Sequence, residues 1–354
     1  MKFRHTIPDP DPPGSLHDLL LLTDLTGNGL PDVIIGGKRG DSALFWYENT
    51  GPDQPWPRHD LGAAEYLEPS GALLDVNGNG RLDLIAGQGS GYHELYWFEQ
   101  PTNPRQPWTR HLIEDRFDKY HDQIVGDVDG DGEQELVIFS QNSGVLGYYD
   151  LPADPAAGPW HDEFHLIADD VHDHEGLALA DLDSSGRLAI IAGPHIYRRC
   201  CCTPGDWHRE PVAPGMKMTR VAVADLNSDA WPDIILCEGE SNPATLLWFQ
   251  APRWRPHLLA DNLFHPHSLQ IADFSGNGLP DILVGEMGLG ENPNPRLIIY
   301  RNLGDCEFEP VVISEGIATH EAKVVDLTGN GRPDIISKDY AEQGRVDIWW
   351  NEPA

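Results

Sequence analysis

Residues 24–36 read DLTGNGLPDVIIG: an aspartate, two glycines one residue apart, a second aspartate, and an apolar run closed by glycine. Aspartate and asparagine bond the amides of their own turn, and glycine supplies positive φ at no steric cost. The β-branched run that follows suits a strand, so the stretch reads as a tight turn feeding a buried β-strand. The pattern returns as DVNGNGRLDLIAG from Asp75, DVDGDGEQELVIF from Asp127, DLDSSGRLAIIAG from Asp181, DLNSDAWPDIILC from Asp225, DFSGNGLPDILVG from Asp273 and DLTGNGRPDIISK from Asp326. Successive copies start 44 to 54 residues apart, the length that four short strands and their turns require, so each repeat is one propeller blade.

Outward from the motif the other strands follow. An apolar run before the first aspartate, LLLL in the first copy, is the innermost strand A, and VIIGG after it is strand B. Paired aromatics, as in LFWYEN ending at Asn49 and VDIWWNE ending at Glu352, mark strand C; segments such as WPRHDL from Trp56, WTRHLI from Trp108 and WRPHLL from Trp254 mark strand D at the rim. The sequence ends after a strand C and opens on FRHTI from Phe3, an orphan strand D. Residues 1–354 therefore predict one all-β domain, a seven-bladed β-propeller of four-stranded blades closed by the N-terminal strand joining the C-terminal blade, which leaves no open blade edge.

Composition narrows the function. The 24 basic and 57 acidic residues give a formal charge of −33, a field that repels phosphate backbones and anionic membranes, so neither nucleic acid nor membrane is expected as a partner. Neutral sugars and divalent cations fit better. MKFRHTIPDPDPPG at the N-terminus has no apolar signal-peptide core, and no apolar run approaches the roughly 18 residues that span a bilayer; a cytoplasmic location is the expectation. Contiguous Cys200, Cys201 and Cys202 match neither a disulfide framework nor a spaced zinc site.

The DxxGNGxxD motifs with the following WYEN and WxRH segments resemble those of FG-GAP/VCBS-repeat propellers over essentially the whole chain. That group includes integrin α-chain heads, lectin-like surface proteins, some polysaccharide lyases and the propeller part of fungal aldos-2-ulose dehydratase, and HSLQIADFSGNG from His267 is most similar to the last. The resemblance implies carbohydrate chemistry or recognition. The cupin domains of the fungal dehydratase have no counterpart here.

Two sets of residues are candidates for ligands. Asp127, Asp129, Asp131 and Glu135 supply four acids in one A-to-B loop, a pattern that holds Ca²⁺, where the other loops substitute Thr, Asn or Ser; the alternative is that the side chains only bond turn amides. On the opposite face, counting back six or seven residues from each motif aspartate gives His17, Glu68, His121, His174, His267 and His320, with Met218 and Thr219 interrupting the series in the fifth blade. Acidic neighbours follow in Asp18, Asp122, Glu175 and Glu321. Imidazoles converging from separate blades suit a divalent metal of the Zn, Mn or Mg class, so His121, His174, His267 and His320 are the expected ligands.

Loops on that face add Lys38, Arg39, Glu286 and Lys338 which, with His17 and Glu68, are expected to bind substrate oxygens. His93, Tyr92, Tyr340 and His174 are the expected acid–base groups. Together they point to a lyase or dehydratase acting by metal-assisted β-elimination on a small sugar or oligosaccharide, the alternative being a non-catalytic glycan- or protein-binding propeller. His59, His111 and His257 recur in strand D far from the axis and are expected to be structural.

Overall fold

A computed structural model describes residues 1–40, 43–200, 205–288, 292–342 and 344–353. Seven four-stranded antiparallel sheets are arranged as blades. In blade 1 the strands run Ser15–Thr23, Asp32–Arg39, Leu44–Tyr47 and Arg58–Gly62, from the axis outward. The innermost strands of blades 2 to 7 are Leu67–Leu74, Tyr120–Gly126, Leu177–Ala180, Thr219–Ala224, Ser268–Ala272 and Glu321–Val325. A single 3₁₀ turn, His161–Glu163, is the only helix among the described residues. Among the described residues no helix is long and apolar enough to cross a membrane.

The core is divided as the ring requires. Leu19, Ile34, Leu44 and Trp46 of blade 1 pack against Leu84, Ala86, Tyr96 and Phe98 of blade 2. Equivalent clusters fill the six other gaps between neighbouring blades, including that between blades 7 and 1. A blade alone buries neither face, so these shared layers hold the ring together. Asn49, Asn302 and Asn351, at the ends of three C strands, each donate to a loop carbonyl of the preceding blade: Leu327 at 2.8 Å, Leu226 at 2.8 Å and Phe274 at 3.1 Å.

Closure follows the expected route. Lys2–Thr6 pairs with the last strand, Val346–Glu352, from Lys2 opposite Glu352 to Thr6 opposite Ile348, and Trp350 Nε1 donates to Thr6 Oγ1 at 2.7 Å.

The rim histidines have a packing role. Each lies directly across from an aromatic residue of strand C and lies over its ring: His59 on Trp46 at 4.5 Å, His111 on Trp97 at 4.2 Å and His257 on Trp248 at 4.3 Å between centroids. His165 on Tyr148 and His5 on Trp349 extend the pattern. Such cross-strand pairs are the unit of sheet stabilisation.

The A-to-B turns close on themselves. Asp24 accepts from the amides of Gly27 at 2.7 Å and Gly29 at 2.8 Å, with both glycines at positive φ. In blade 5 the same backbone is held by Ser228 and Ala230, at φ of 60° and 70°.

Candidate functional site

At the opposite end of the channel the backbone makes one unusual move in six blades. Leu16, Tyr66, Lys119, Asp173, Met218 and His265 all have φ between 42° and 61°, a left-handed conformation that costs a non-glycine residue energy and is retained where surrounding structure enforces it. Their carbonyls are anchored locally: Gly89 N–H donates to Tyr66 O at 2.6 Å, Gln141 N–H to Lys119 O at 2.9 Å and Gly239 N–H to Met218 O at 2.7 Å. Two residues after each kink stand Asp18, Glu68, His121, Glu175, Arg220 and His267. His320 holds the matching position in blade 7, six residues before its motif aspartate.

These seven residues form a buried charged cluster. Glu175 is fully buried; its Oε1 lies 3.3 Å from His121 Nε2 and its Oε2 3.9 Å from His267 Nε2. Ligand atoms of His121, Glu175 and His267 fall within 4.8 Å of one another. The remaining ring nitrogens are held from behind: His121 Nδ1 by Asp122 Oδ2 at 2.7 Å, and His267 Nδ1 by the carbonyl of His320 at 3.1 Å. Each of those acceptors receives a hydrogen bond from Nδ1–H and turns Nε2 toward Glu175, the relation that orients metal-binding histidines. His267 is held well below the usual imidazole range by burial, with His320 and Arg220 adding to it. His121 is lowered by burial, but Glu175 and Asp122 outweigh that and hold it above the usual range.

The carboxylates are not equally compensated. Asp18 lies 2.8 Å from Lys38, which also bonds Glu68; Glu321 lies 3.1 Å from Arg220 and 2.8 Å from Lys323. Burial raises Asp18, but the Lys38 and Lys338 ammonium groups more than offset it and hold the carboxyl below its ordinary value. Glu175 instead has Gln141 Nε2 at 2.7 Å on Oε1, while Oε2 is buried and unpaired. Burial therefore pushes Glu175 up. Glu175 Oε1 thus lies against His121, whose raised proton affinity supplies part of the countercharge, while the buried Oε2 facing His267 has no hydrogen-bond partner. Two imidazoles and a carboxylate with ligand atoms this close are donor types that zinc and non-haem iron sites share.

Several expected residues stand elsewhere. His17 turns away from the axis: its Nε2 bonds Pro13 O at 2.8 Å and its ring meets Phe45 edge-on, while the next residue, Asp18, faces the cluster. His174 is likewise displaced by one position; its ring lies against that of His195 at 5.1 Å, and Glu175 brings the ligand atom. His320 lies beside the His121–Glu175–His267 group rather than in it, stacked on His267 at 4.0 Å with Nδ1 3.1 Å from Lys338 Nζ. Lys338 is fully buried, donates to His17 O at 2.6 Å, and is pushed down to about 8 by burial. It positions His320 instead of meeting a ligand. Glu286 is spent on Arg296 and on the amide of Phe264 in blade 6.

Lys38 and Tyr340 do border the cluster: Lys38 Nζ lies 5.8 Å from the Tyr340 ring centre, and that ring stacks on His320 at 4.9 Å. Arg39 is exposed and paired with Glu342 at 3.0 Å. Tyr92 stacks on Tyr66 at 4.0 Å, both half-buried, with His93 exposed beside it. Arg220 went unrecognised in the sequence because it lies five residues before its motif aspartate, one short of the usual offset.

Asp127, Asp129, Asp131 and Glu135 do converge within 4.8 Å. Asp127 nevertheless bonds its own loop amides at Gly130 and Gly132, as Asp24 does without the extra acids. Cys201 and Cys202 lie outside the described residues; Cys200, half-buried, follows strand C of blade 4, which ends at Arg199.

The profile of the FG-GAP-like repeat family matches residues 24–86, 75–138, 225–284 and 273–337, more than half of the chain. No curated protein sequence matches. Among solved structures, the Vibrio cholerae biofilm matrix protein Bap1 superposes with a TM-score of 0.54 at 9% identity, over 99% of this chain and 92% of that one. A Photorhabdus luminescens Tc holotoxin pore gives 0.41 at 15% identity, over 94% of this chain and 17% of that one. The first likeness is one of fold; the second lies below the level at which it informs.

Proposed function

The chain belongs to the FG-GAP-like repeat family, and on that scaffold we propose a metal-dependent funnel site, acting as a lyase or dehydratase on a small sugar by β-elimination. The observation that carries this is the buried Glu175 carboxylate, unpaired at Oε2 and facing two imidazoles whose other nitrogens are already occupied. A divalent ion held by His121, Glu175 and His267 would supply an electrophile for a carbonyl oxygen.

In such an elimination the proton leaves the carbon beside the carbonyl, the C–H electrons form the new double bond, and the β C–O bond breaks as its oxygen takes a proton. Tyr340, stacked on His320 at the cluster's edge, is the proton-carrying group. Lys38 is placed to hold substrate oxygens, and the Tyr66–Tyr92 stack offers an aromatic face to a sugar ring. The acidic field disfavours long uronate polymers. A Ca²⁺ in the Asp127 loop belongs to the same proposal as a structural ion; burial and the neighbouring Asp129 and Asp131 push Glu135 up to about 7, which a cation there would relieve.

The test is to load the protein with Zn²⁺, Mn²⁺ or Fe²⁺ and screen neutral and keto sugars for the ultraviolet absorbance of a conjugated enone. Turnover that disappears with chelator and in His267→Ala supports the reading; bound metal without turnover on any sugar counts against the lyase. The Tyr66–Tyr92 stack also favours a second reading, a non-catalytic glycan- or protein-binding propeller, which saturable sugar binding by metal-free protein without product formation would support.

A further inference from the structure

Six blades begin strand B with a carboxylate, which in five of them ties the A-to-B loop to the end of strand C and in blade 3 holds the loop alone. Asp32 accepts from the amides of Leu25 at 2.9 Å and Asn49 at 2.8 Å. Asp83 does so from Val76 and Gln100, Asp233 from Leu226 and Ala251, Asp281 from Ser275 and Asn302, and Asp334 from Leu327 and Asn351. Glu135 takes the Val128 amide at 2.7 Å. In blade 4 the position is Ala189, the first residue of strand Ala189–Ala192, which has no side-chain oxygen.

A cavity of about 290 Å³ opens there, lined by Ala189, Leu182, Arg199, Arg198 and Arg187. Leu182 follows its motif aspartate as Leu25 follows Asp24. Arg199 lies two residues beyond Tyr197, the partner of Ile190, as Asn49 lies two beyond Tyr47, the partner of Val33. Their amides are therefore the counterparts of the two donors that a carboxylate satisfies elsewhere. Aspartates also border the cavity, but Asp127 serves the amides of Gly130 and Gly132, Asp129 holds Arg199 at 2.9 Å, and Asp183 accepts from Ser185 at 3.1 Å. Arg187 is exposed and has no ion-pair partner among the described residues.

We propose that the blade 4 cavity is a binding site for a small organic carboxylate, whose head group takes the place of the side chain missing at Ala189. It accepts from the Leu182 and Arg199 amides, and Arg187 supplies the countercharge. The cavity exceeds what a lone carboxylate fills, leaving room for a short carbon chain. Recognition by two fixed amides and a guanidinium suits a planar two-oxygen acceptor. The site lies on the Asp-loop face and stands independently of the funnel.

The experiment is calorimetric titration and thermal denaturation of chelator-treated full chain with acetate, malonate and phosphate, at constant ionic strength against chloride. Chelation keeps any funnel metal from binding the probes. Saturable binding of acetate or malonate is expected, with Tm raised by about 2 °C or more at saturation. Ala189→Asp should abolish that binding and itself raise Tm in chloride, and Arg187→Ala should weaken binding about tenfold. No saturable carboxylate binding by the native chain, binding retained in Ala189→Asp, or tighter binding of phosphate than of either carboxylate would each overturn the proposal.

Discussion

A carboxylate that bonds the far side of a coordinating imidazole sets which nitrogen is bare, and Asp122 stands in that relation to His121. Asp122→Asn should weaken transition-metal binding about 10- to 100-fold without unfolding the ring, as read by competition with a chromophoric chelator; unchanged affinity would mean that His121 is not a ligand. The sequence exposed this layer only in part. Counting back from the motif aspartate finds the right level of the channel, but residues along a strand alternate faces, so an error of one exchanges the axial side chain for its neighbour. That is why the spacing points to His17 and His174 where Asp18 and Glu175 face the channel. Only coordinates reveal the left-handed residue two positions earlier that fixes the choice.

At the level of the element, the repeat is written almost completely in the sequence. Asp-loop, strand B, aromatic strand C and rim histidine recur in order, and closure by Lys2–Thr6 could be read from an unpaired strand D at one end and a missing one at the other. The pairing of rim imidazole with strand C aromatic needed the register. Where a blade departs from the pattern, stability should respond: Ala230 sits at φ 70° where other blades have glycine. Ala230→Gly should stabilise the protein by about 0.5–1 kcal/mol, the relief of left-handed backbone exceeding the entropy glycine adds to the unfolded chain. Chemical denaturation measures it, and a loss of stability would show that the loop is not strained there.

Across the whole molecule, the buried carboxylates that tie the loops together make acid stabilising over a defined range. Burial raises Asp32, Asp83, Asp233 and Asp334 to about 6, from an ordinary value of 3.8. Between those values these carboxylates bind more protons in the folded chain than in the unfolded one, so their contribution to stability grows as pH falls from about 7 toward 4. His267 and His320, held low by burial, act against it below the ordinary imidazole value. Relief of the −33 charge acts in the same direction as the carboxylates. Below about 4 the sign reverses, because Asp18 and Asp122 are held low in the fold and lose their pairing when protonated. Asp83→Asn should therefore lessen whatever stability the chain gains between pH 7 and 5 relative to the native protein, read from denaturant midpoints, and an unchanged pH dependence would contradict this. The most direct measurement on the molecule is X-ray absorption at the metal edge of protein loaded with one equivalent of Zn²⁺. The expected spectrum has about two imidazole nitrogens at ~2.0–2.1 Å and carboxylate or water oxygen at ~2.0–2.2 Å, with the imidazole scattering diminished in His121→Ala and His267→Ala. Failure to retain stoichiometric metal, or a spectrum without histidine scattering, would contradict a metal centre on His121, Glu175 and His267.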